Sequence, residues 1–289
     1  SIVAQRGLPT VHIRPTSNRG FTLIEMVTTI LISSILAMGI VSFIADSVEG
    51  FSTSSNRSRL AGSGRAALDR MTFEIHNALP NSVRVNAAAP DGDQCLEFMP
   101  ALRATTYINP PIRGSGASSF DVINFDSVTA YASPAGIYAA IYPINTTELY
   151  DYDDNLGPLA LIDSIDDTGG VDGKMTVTLD ASHRFNKRSP NNRLFLVDEP
   201  VSFCVVGEKL YRYSNYGVEA TQCTPDTCLP SSLPDRALLA DSIDNAGATA
   251  FSFGAATTRR NAIVTFDILM TSQGDIVQLN HEVLTHNVP

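Results

Sequence analysis

One acidic side chain, Glu25, lies at the edge of a long apolar stretch that opens with RGFTLIEMV. Residues 26–45 are 20 positions without a charge. A carboxylate beside lipid, or inside a bundle of apolar helices, is costly unless it is paired or protonated. A cut between Gly20 and Phe21 would create an α-amino group four residues upstream of Glu25. Such a cut would leave the helix in the product and supply a positive group for Glu25. The alternative is a solvated Glu25 that reaches the lipid headgroups.

Four cysteines follow the apolar stretch, and they can form disulfides if this part of the chain is exported. They are Cys95, Cys204, Cys223 and Cys228, and four cysteines allow three connectivities. Cys223 and Cys228 are close enough in sequence for a small disulfide loop, which favours Cys95 and Cys204 as the other pair. Zinc is not favoured, because the spacing in CTPDTC is too long for the first half of a typical site and no second half matches it.

Signals for catalysis are weak. The five histidines are scattered, and the chain has no Gly-x-Ser-x-Gly turn, phosphate loop or His-Glu-x-x-His pattern. Two acidic loops, DYDDN at 151–155 and DSIDDTGGVDG at 163–173, could offer oxygen ligands to calcium, but neither follows the twelve-residue calcium-loop pattern. Such clusters are usually solvated turns. We therefore predict no enzyme activity, no catalytic residue, no metal site and no cofactor, with calcium as the alternative.

The charge is divided unevenly along the chain. Residues 1–20 carry three arginines and no acid, which leaves 17 basic and 30 acidic groups in the rest of a chain whose net charge is −10. An acidic body argues against nucleic acid as a partner, because nucleic-acid binding depends on Lys and Arg at the phosphates. Arginines just before an apolar segment are typical of a cytoplasmic flank, so we expect the chain after the segment to be exported.

Residues 26–45 are long enough to cross a bilayer as a helix, since 20 residues rise about 30 Å. A buried core helix is the alternative, although such helices are usually shorter and amphipathic. A cleaved secretory signal is not favoured, because Ala45, Asp46 and Ser47 are a poor cleavage site. The helical pattern continues to Leu79, where Pro80 ends it, so we predict one helix over 21–79, about 90 Å long. Its second part should bury one face, formed by Val48, Phe51, Leu60, Leu68, Met71, Ile75 and Leu79. The glycines at 50, 62 and 64 should weaken its middle.

Residues 80–289 read as a β-rich domain. Strand-like runs alternate with segments rich in Gly, Pro, Asn and Asp. They lie at 95–100, 120–125, 136–142, 174–180, 193–198, 201–206, 209–214, 262–270 and 275–285. Hairpin turns are predicted at Gly207 and Glu208 and near Gln273 and Gly274. Residues 236–253 could form a short helix or a strand. The predicted class is α+β, with a long N-terminal helix on a predominantly antiparallel sheet.

The stretch RGFTLIE, followed by an apolar helix, resembles the class III signal of type IV pilins and type II secretion pseudopilins. This resemblance implies a leader over 1–20, a prepilin peptidase that cuts after Gly20, and methylation of the new amino terminus of Phe21. It also implies that Glu25 pairs with the amine of a neighbouring subunit during filament assembly. The implied fold is the type IV pilin fold, with a membrane-spanning first half of the helix at 26–45 and a β head at 80–289.

Stretches at the end of the long helix and in the head are similar to the minor pilins of the mannose-sensitive haemagglutinin (MSHA) pilus, which are related to the J-type minor pseudopilins. They are EIHNALPNSVRV, RLFLVDEPVSFCV, LYRY, RRNAIVTFDILM and NHEVLTHNVP. The similarity implies a subunit of the bacterial inner membrane whose head lies in the periplasm and later at the cell surface. Expected partners are minor and major pilins, prepilin peptidase and the inner-membrane assembly platform. The expected role is initiation of assembly at the filament tip. The alternative is a tip adhesin or ligand-binding module carried on a pilin helix.

Overall fold

The computed structural model describes residues 20–125, 136–166, 173–255 and 261–285. Most of the predicted leader, 1–19, lies outside the described residues. The chain divides into two compact units, Ser1–Thr53 and Ser54–Pro289. The elements in chain order are α1 (Leu23–His76), β1 (Arg84–Val85), β2 (Gln94–Phe98), β3 (Ala101–Ile108), β4 (Ala117–Ile123), β5 (Tyr138–Ala140), α2 (Thr146–Tyr150), β6 (Leu156–Gly157), β7 (Leu159–Asp166), β8 (Lys174–Phe185), β9 (Arg193–Val197), β10 (Val201–Val206), β11 (Lys209–Tyr213), β12 (Arg236–Asp241), β13 (Phe251–Gly254), β14 (Ile263–Ser272) and β15 (Asp275–Leu284).

Helix α1 lies within the range predicted for it, and the part of it that belongs to the second unit buries one face there. Its buried residues recur at helical spacing from Leu60 to Ile75. The prediction that Val48 and Phe51 belong to the buried face is wrong for the single chain, because both side chains are exposed. The helix ends where the Asn77 side-chain amide donates to the Phe73 carbonyl at 3.0 Å, three residues before a proline.

Gly64 allows α1 to approach the sheet closely. A Cβ built on this glycine would lie 2.2 Å from Leu279 Cδ1 and 2.6 Å from Met270 Sδ, well inside van der Waals contact. Gly62, two residues earlier, has nothing within 4 Å of such an atom. The glycines of this stretch therefore differ in role, and the one at position 64 is a packing contact rather than a weak point.

Two antiparallel sheets and the second part of α1 enclose the largest core. One sheet has the order β1-β2-β10-β11-β12 and the other the order β13-β14-β15. The core between them is dominated by apolar side chains that include Met71, Phe98, Phe203 and Phe266. Glu74 of α1 is buried beside it, and both of its carboxylate oxygens lie 3.0 Å from Arg212 Nε of β11. This ion pair fixes the helix to the five-stranded sheet. The observed fold confirms the predicted α+β class and is consistent with the type IV pilin fold.

A six-stranded β-barrel is inserted between β2 and β10, and the sequence analysis did not predict it. Strand β3 pairs with β4, β4 with β8, β8 with β7, β7 with β5, β5 with β9, and β9 returns to β3. These six antiparallel strands form a closed ring whose interior is filled by apolar side chains, among them Phe120, Val177 and Leu194. The first residue of the barrel, Ala101, pairs with its last residue, Val197. The chain therefore leaves the five-stranded sheet after β2 and returns to it before β10 at the same place on the barrel.

Local turn chemistry positions several of the strands. Strands β14 and β15 are joined through Gln273 and Gly274, which both have positive φ as a type I′ hairpin turn requires. Strands β10 and β11 are joined through Gly207 and Glu208, as predicted. Residues 236–253, left as helix or strand, contain strand β12 and the start of β13. Strands β3 and β7 were missed.

Candidate functional site

The amino-terminal end of α1 carries the residues predicted for processing and assembly. Gly20, Phe21 and Thr22 precede the first helical residue. Thr22 caps the helix, because its carbonyl accepts from the Met26 amide at 3.1 Å and its hydroxyl lies 3.4 Å from the Glu25 amide nitrogen. The spacing Thr-x-x-Glu is that of a capping box, in which a carboxylate in the first turn also complements the helix dipole. Glu25 therefore occupies a favourable place at the helix start, and its side chain is exposed.

Gly20 is exposed at the start of the described chain. Among the residues that the structure describes, nothing lies within 4 Å of a Cβ built on it. It also lies outside the helix, as a peptidase requires of its substrate. Processing after Gly20 stays a prediction, and the exposed position of this residue is compatible with it.

The first part of α1 is apolar on all sides. Every residue from 20 to 53 is exposed in the single chain. Helix α1 is the described helix that is long and apolar enough to cross a membrane, with a mean hydropathy of 2.3 in its most apolar window. Apolar surface of this extent requires a cover, either lipid or the helices of other subunits. The helix and its motif fit membrane anchoring of a soluble head.

Several hydroxyl groups in this apolar segment are satisfied by the helix itself. The Thr28 hydroxyl donates to the Ile24 carbonyl at 3.0 Å, and the Ser34 hydroxyl donates to the Ile30 carbonyl at 2.7 Å. Thr29 makes the same kind of bond to Met26 at 3.0 Å. Such back-bonding lets polar side chains enter a lipid or protein interior without an unpaired group. These residues therefore weaken membrane insertion less than their composition suggests.

The four cysteines form two disulfides in the head. Cys95 of β2 is bonded to Cys204 of β10, its direct partner across the strands, and Cys223 is bonded to Cys228. This is the pairing that the sequence favoured. The first bond joins residues 109 apart in sequence, and the barrel lies within the loop it closes. It therefore holds together the two strands from which the barrel departs.

Glu97, which the sequence did not single out, is a buried acid next to this disulfide. Its carboxylate is paired with the Arg84 guanidinium and accepts a hydrogen bond from the Tyr216 hydroxyl at 3.1 Å. The Arg84 guanidinium also lies 3.6 Å from the centre of the Tyr150 ring. Burial raises the pKa of Glu97 above its usual 4.5, although the arginine opposes the shift. The segment after β11 covers this face of the sheet, which explains how an acid on a central strand becomes enclosed.

Of the two acidic loops predicted as calcium candidates, the structure describes the first completely and the second only in part. In the first, the Asp153 carboxylate accepts from the Asn155 amide at 2.7 Å, as in an ordinary polar turn. Within the second, residues 167–172 lie outside the described part. Among the residues that the structure describes, no group of three or more His, Cys, Asp or Glu side chains could hold a metal ion.

A polar cavity of about 780 Å³ opens at the surface of the barrel, beside the end of β3. One wall is formed by residues 106–110, 112 and 113, and the other by Arg188 and Asn192 in the loop before β9. Two arginines, Arg113 and Arg188, line it together with two asparagines. Nothing in the local sequence pattern marked these residues, because the two walls are about 80 positions apart in the chain. The ring of strands brings them together.

The comparisons with known proteins agree with the signal at the start of the helix. Residues 15–41 match the family model of the prokaryotic N-terminal methylation motif. No curated protein and no solved structure matched the chain. The motif and the helix-on-sheet fold together support a type IV pilin-like or pseudopilin-like protein. The motif also indicates a structural subunit that is processed by a prepilin peptidase and interacts with other pilins, rather than an enzyme.

Proposed function

We propose that this protein is a minor pilin of an MSHA-type pilus, similar to MshO, that helps to initiate filament assembly at the tip. The observation that carries the proposal is the coincidence of three features between residues 15 and 45. These are the methylation motif at 15–41, an exposed Glu25 in the first turn of α1, and the uncharged apolar surface that follows. The similarity of the head stretches to minor pilins supports the finer assignment. The proposal requires no cofactor.

In this proposal the head is exported to the periplasm and α1 remains in the inner membrane until assembly. Prepilin peptidase cuts after Gly20 and methylates the amino terminus of Phe21. When helices pack side by side, a buried carboxylate is expensive unless it meets a cation. The amine of one subunit meets Glu25 of the next, and any other stagger leaves both charges unpaired. The pair therefore sets the axial register of the bundle, and the assembly platform then moves the packed subunits outward.

Glu25→Ala tests this role, with Glu49→Ala as a matched control. Glu49 is an exposed acid on the same helix, outside the apolar segment. We expect both variants to be cleaved after Gly20, as measured by the mass of the amino-terminal peptide. We expect only Glu25→Ala to lose incorporation into sheared filaments. Normal incorporation of processed Glu25→Ala would contradict the pairing, and an intact leader on filament subunits would contradict the whole proposal.

A second candidate function is that of a tip adhesin, and the cavity in the barrel favours it. The inserted barrel is closed on itself, so it can present a binding site without disturbing the sheet that carries it. Deletion of the gene separates the two functions. Loss of pili supports initiation of assembly, whereas pili in normal number that no longer attach support adhesion.

A further inference from the structure

We infer that the cavity in the inserted barrel binds an acidic saccharide, which it recognises through Arg113 and Arg188. This inference goes beyond the proposed role in assembly and does not depend on Glu25. Of the described residues that line the cavity, two are arginines and none is acidic. The protein as a whole has a net charge of −10, whereas the described lining of the cavity carries two cations. Two guanidinium groups favour a carboxylate or sulfate on the ligand.

One wall of the cavity is rigid before any ligand arrives. The buried Tyr107 hydroxyl donates to the Ser189 carbonyl at 3.2 Å and accepts from the Ser189 amide at 2.9 Å. The Tyr107 amide donates to the Asn192 carbonyl at 2.9 Å. The loop before β9 is thus tied to β3 from both of its ends. A wall fixed by such bonds loses little conformational entropy on binding.

Arg188 is oriented by this same wall. Its Nε and Nη2 atoms lie 3.3 Å and 3.1 Å from Asn192 Oδ1. Asn192 therefore takes two of the five guanidinium N–H donors and holds the plane of the group. The side chain of Arg188 is exposed, so a ligand in the cavity can reach the group. This arrangement presents a positioned cation rather than a freely moving one.

The opposite wall is the loop between β3 and β4, which carries Arg113. The Phe185 amide donates to the Pro111 carbonyl at 2.9 Å and anchors this loop to β8. Arg113 is exposed, and Ile112 next to it adds an apolar patch to the lining. Apolar patches beside amides and hydroxyls suit a sugar ring, which has C–H faces and hydroxyl edges. Thr106, Asn109 and Asn192 supply polar groups for those edges.

A peptide ligand fits this site less well. Extended peptides often bind by adding a strand to a free sheet edge. Strand β3, which forms a wall of the cavity, is already paired with β4 on one side and β9 on the other. The site therefore offers side chains and a concave surface, which favour a compact ligand with several hydroxyl groups.

Titration calorimetry of the full chain in detergent micelles tests the inference, with tri-galacturonate as the probe. The uncharged methyl ester of the same trisaccharide and sodium sulfate serve as comparisons. We expect tri-galacturonate to bind and to weaken at high salt, whereas its ester binds at least tenfold more weakly. Removal of one charge-assisted hydrogen bond corresponds to about a 10-fold to 100-fold loss of affinity. We expect that loss in Arg113→Gln and in Arg188→Gln.

Arg65→Gln is the matched control, because it removes the same charge from an exposed position on α1 and Arg65 does not line the cavity. We expect its affinity for tri-galacturonate to equal that of the wild type, and Arg188→Lys to retain part of it. Both cavity variants alter exposed side chains, so tyrosine circular dichroism should show an unchanged head. Absence of binding by the wild type overturns the inference. So does equal binding of acid and ester, sulfate as strong a ligand as the saccharide, or tighter binding of a phosphoserine peptide.

Discussion

Substitution of Gly64 by alanine tests how closely α1 packs on the three-stranded sheet. The added methyl carbon would lie 2.2 Å from Leu279 Cδ1 and 2.6 Å from Met270 Sδ. Carbon atoms in contact prefer about 3.5–4.0 Å, so the ends of both side chains must move by about 1 Å or more. Met270 is fully buried, which leaves little room for such a shift. Overpacking of this kind costs about 1–3 kcal/mol.

Alanine also favours the helix over glycine by about 1 kcal/mol, so the net change at Gly64 is smaller than the packing term. Gly62→Ala isolates that propensity, because nothing lies within 4 Å of its new methyl group. We expect Gly62→Ala to raise the free energy of unfolding by about 0.5–1 kcal/mol. We expect Gly64→Ala to lie about 1–3 kcal/mol below Gly62→Ala, since the propensity term cancels in that comparison.

Urea unfolding of the full chain in detergent, followed by tyrosine fluorescence, measures this difference. The chain has no tryptophan, and its nine tyrosines all follow residue 100, so the signal reports the head alone. Leu279→Ala combined with Gly64→Ala should recover part of the loss and give a coupling energy in a double-mutant cycle. Equal stabilisation by Gly62→Ala and Gly64→Ala would refute the close approach of helix and sheet.

Two further predictions concern the head. Loss of the Cys95–Cys204 bond in a Cys95→Ala, Cys204→Ala variant should lower the free energy of unfolding by about 5 kcal/mol through loop-closure entropy. The same change at Cys223 and Cys228 should lower it by about 2 kcal/mol, because the first loop spans 109 residues and the second 5. Equal urea midpoints for the two variants would contradict this ranking. Glu97 has a raised pKa, so the folded state binds its proton more tightly than the unfolded state and its contribution to stability falls as pH rises above 4.5. Glu97→Gln should remove that decline, so the difference in unfolding free energy between variant and wild type should change with pH above 4.5. If this difference stays constant as pH rises, Glu97 does not titrate in that range.

The start of the helix and the class of the fold could be predicted because their signals are local. Gly20, Phe21 and Glu25 lie within six positions, and the apolar segment after them is continuous. Helix α1 and the β14–β15 hairpin follow from periodicity and turn residues, which act over a few positions. Strand β3 was missed because its sequence, ALRATTYI, does not alternate regularly between apolar and polar residues. In the structure only Tyr107 of this strand is buried, and the other side chains are half-buried or exposed. It is a strand because β4 and β9 lie on either side of it.

The sequence by itself determined that a motif typical of N-terminal methylation opens an apolar helix, and that an acidic β-rich domain follows. It determined these features because each depends on the chemistry of neighbouring residues. Only the tertiary structure decided that six strands close into a barrel between β2 and β10, that Gly64 is a contact with Leu279, and that Arg113 and Arg188 share one cavity. Each of these depends on pairs far apart in the chain, and such pairs meet only after the loop entropy between them has been offset by the packing of the whole domain.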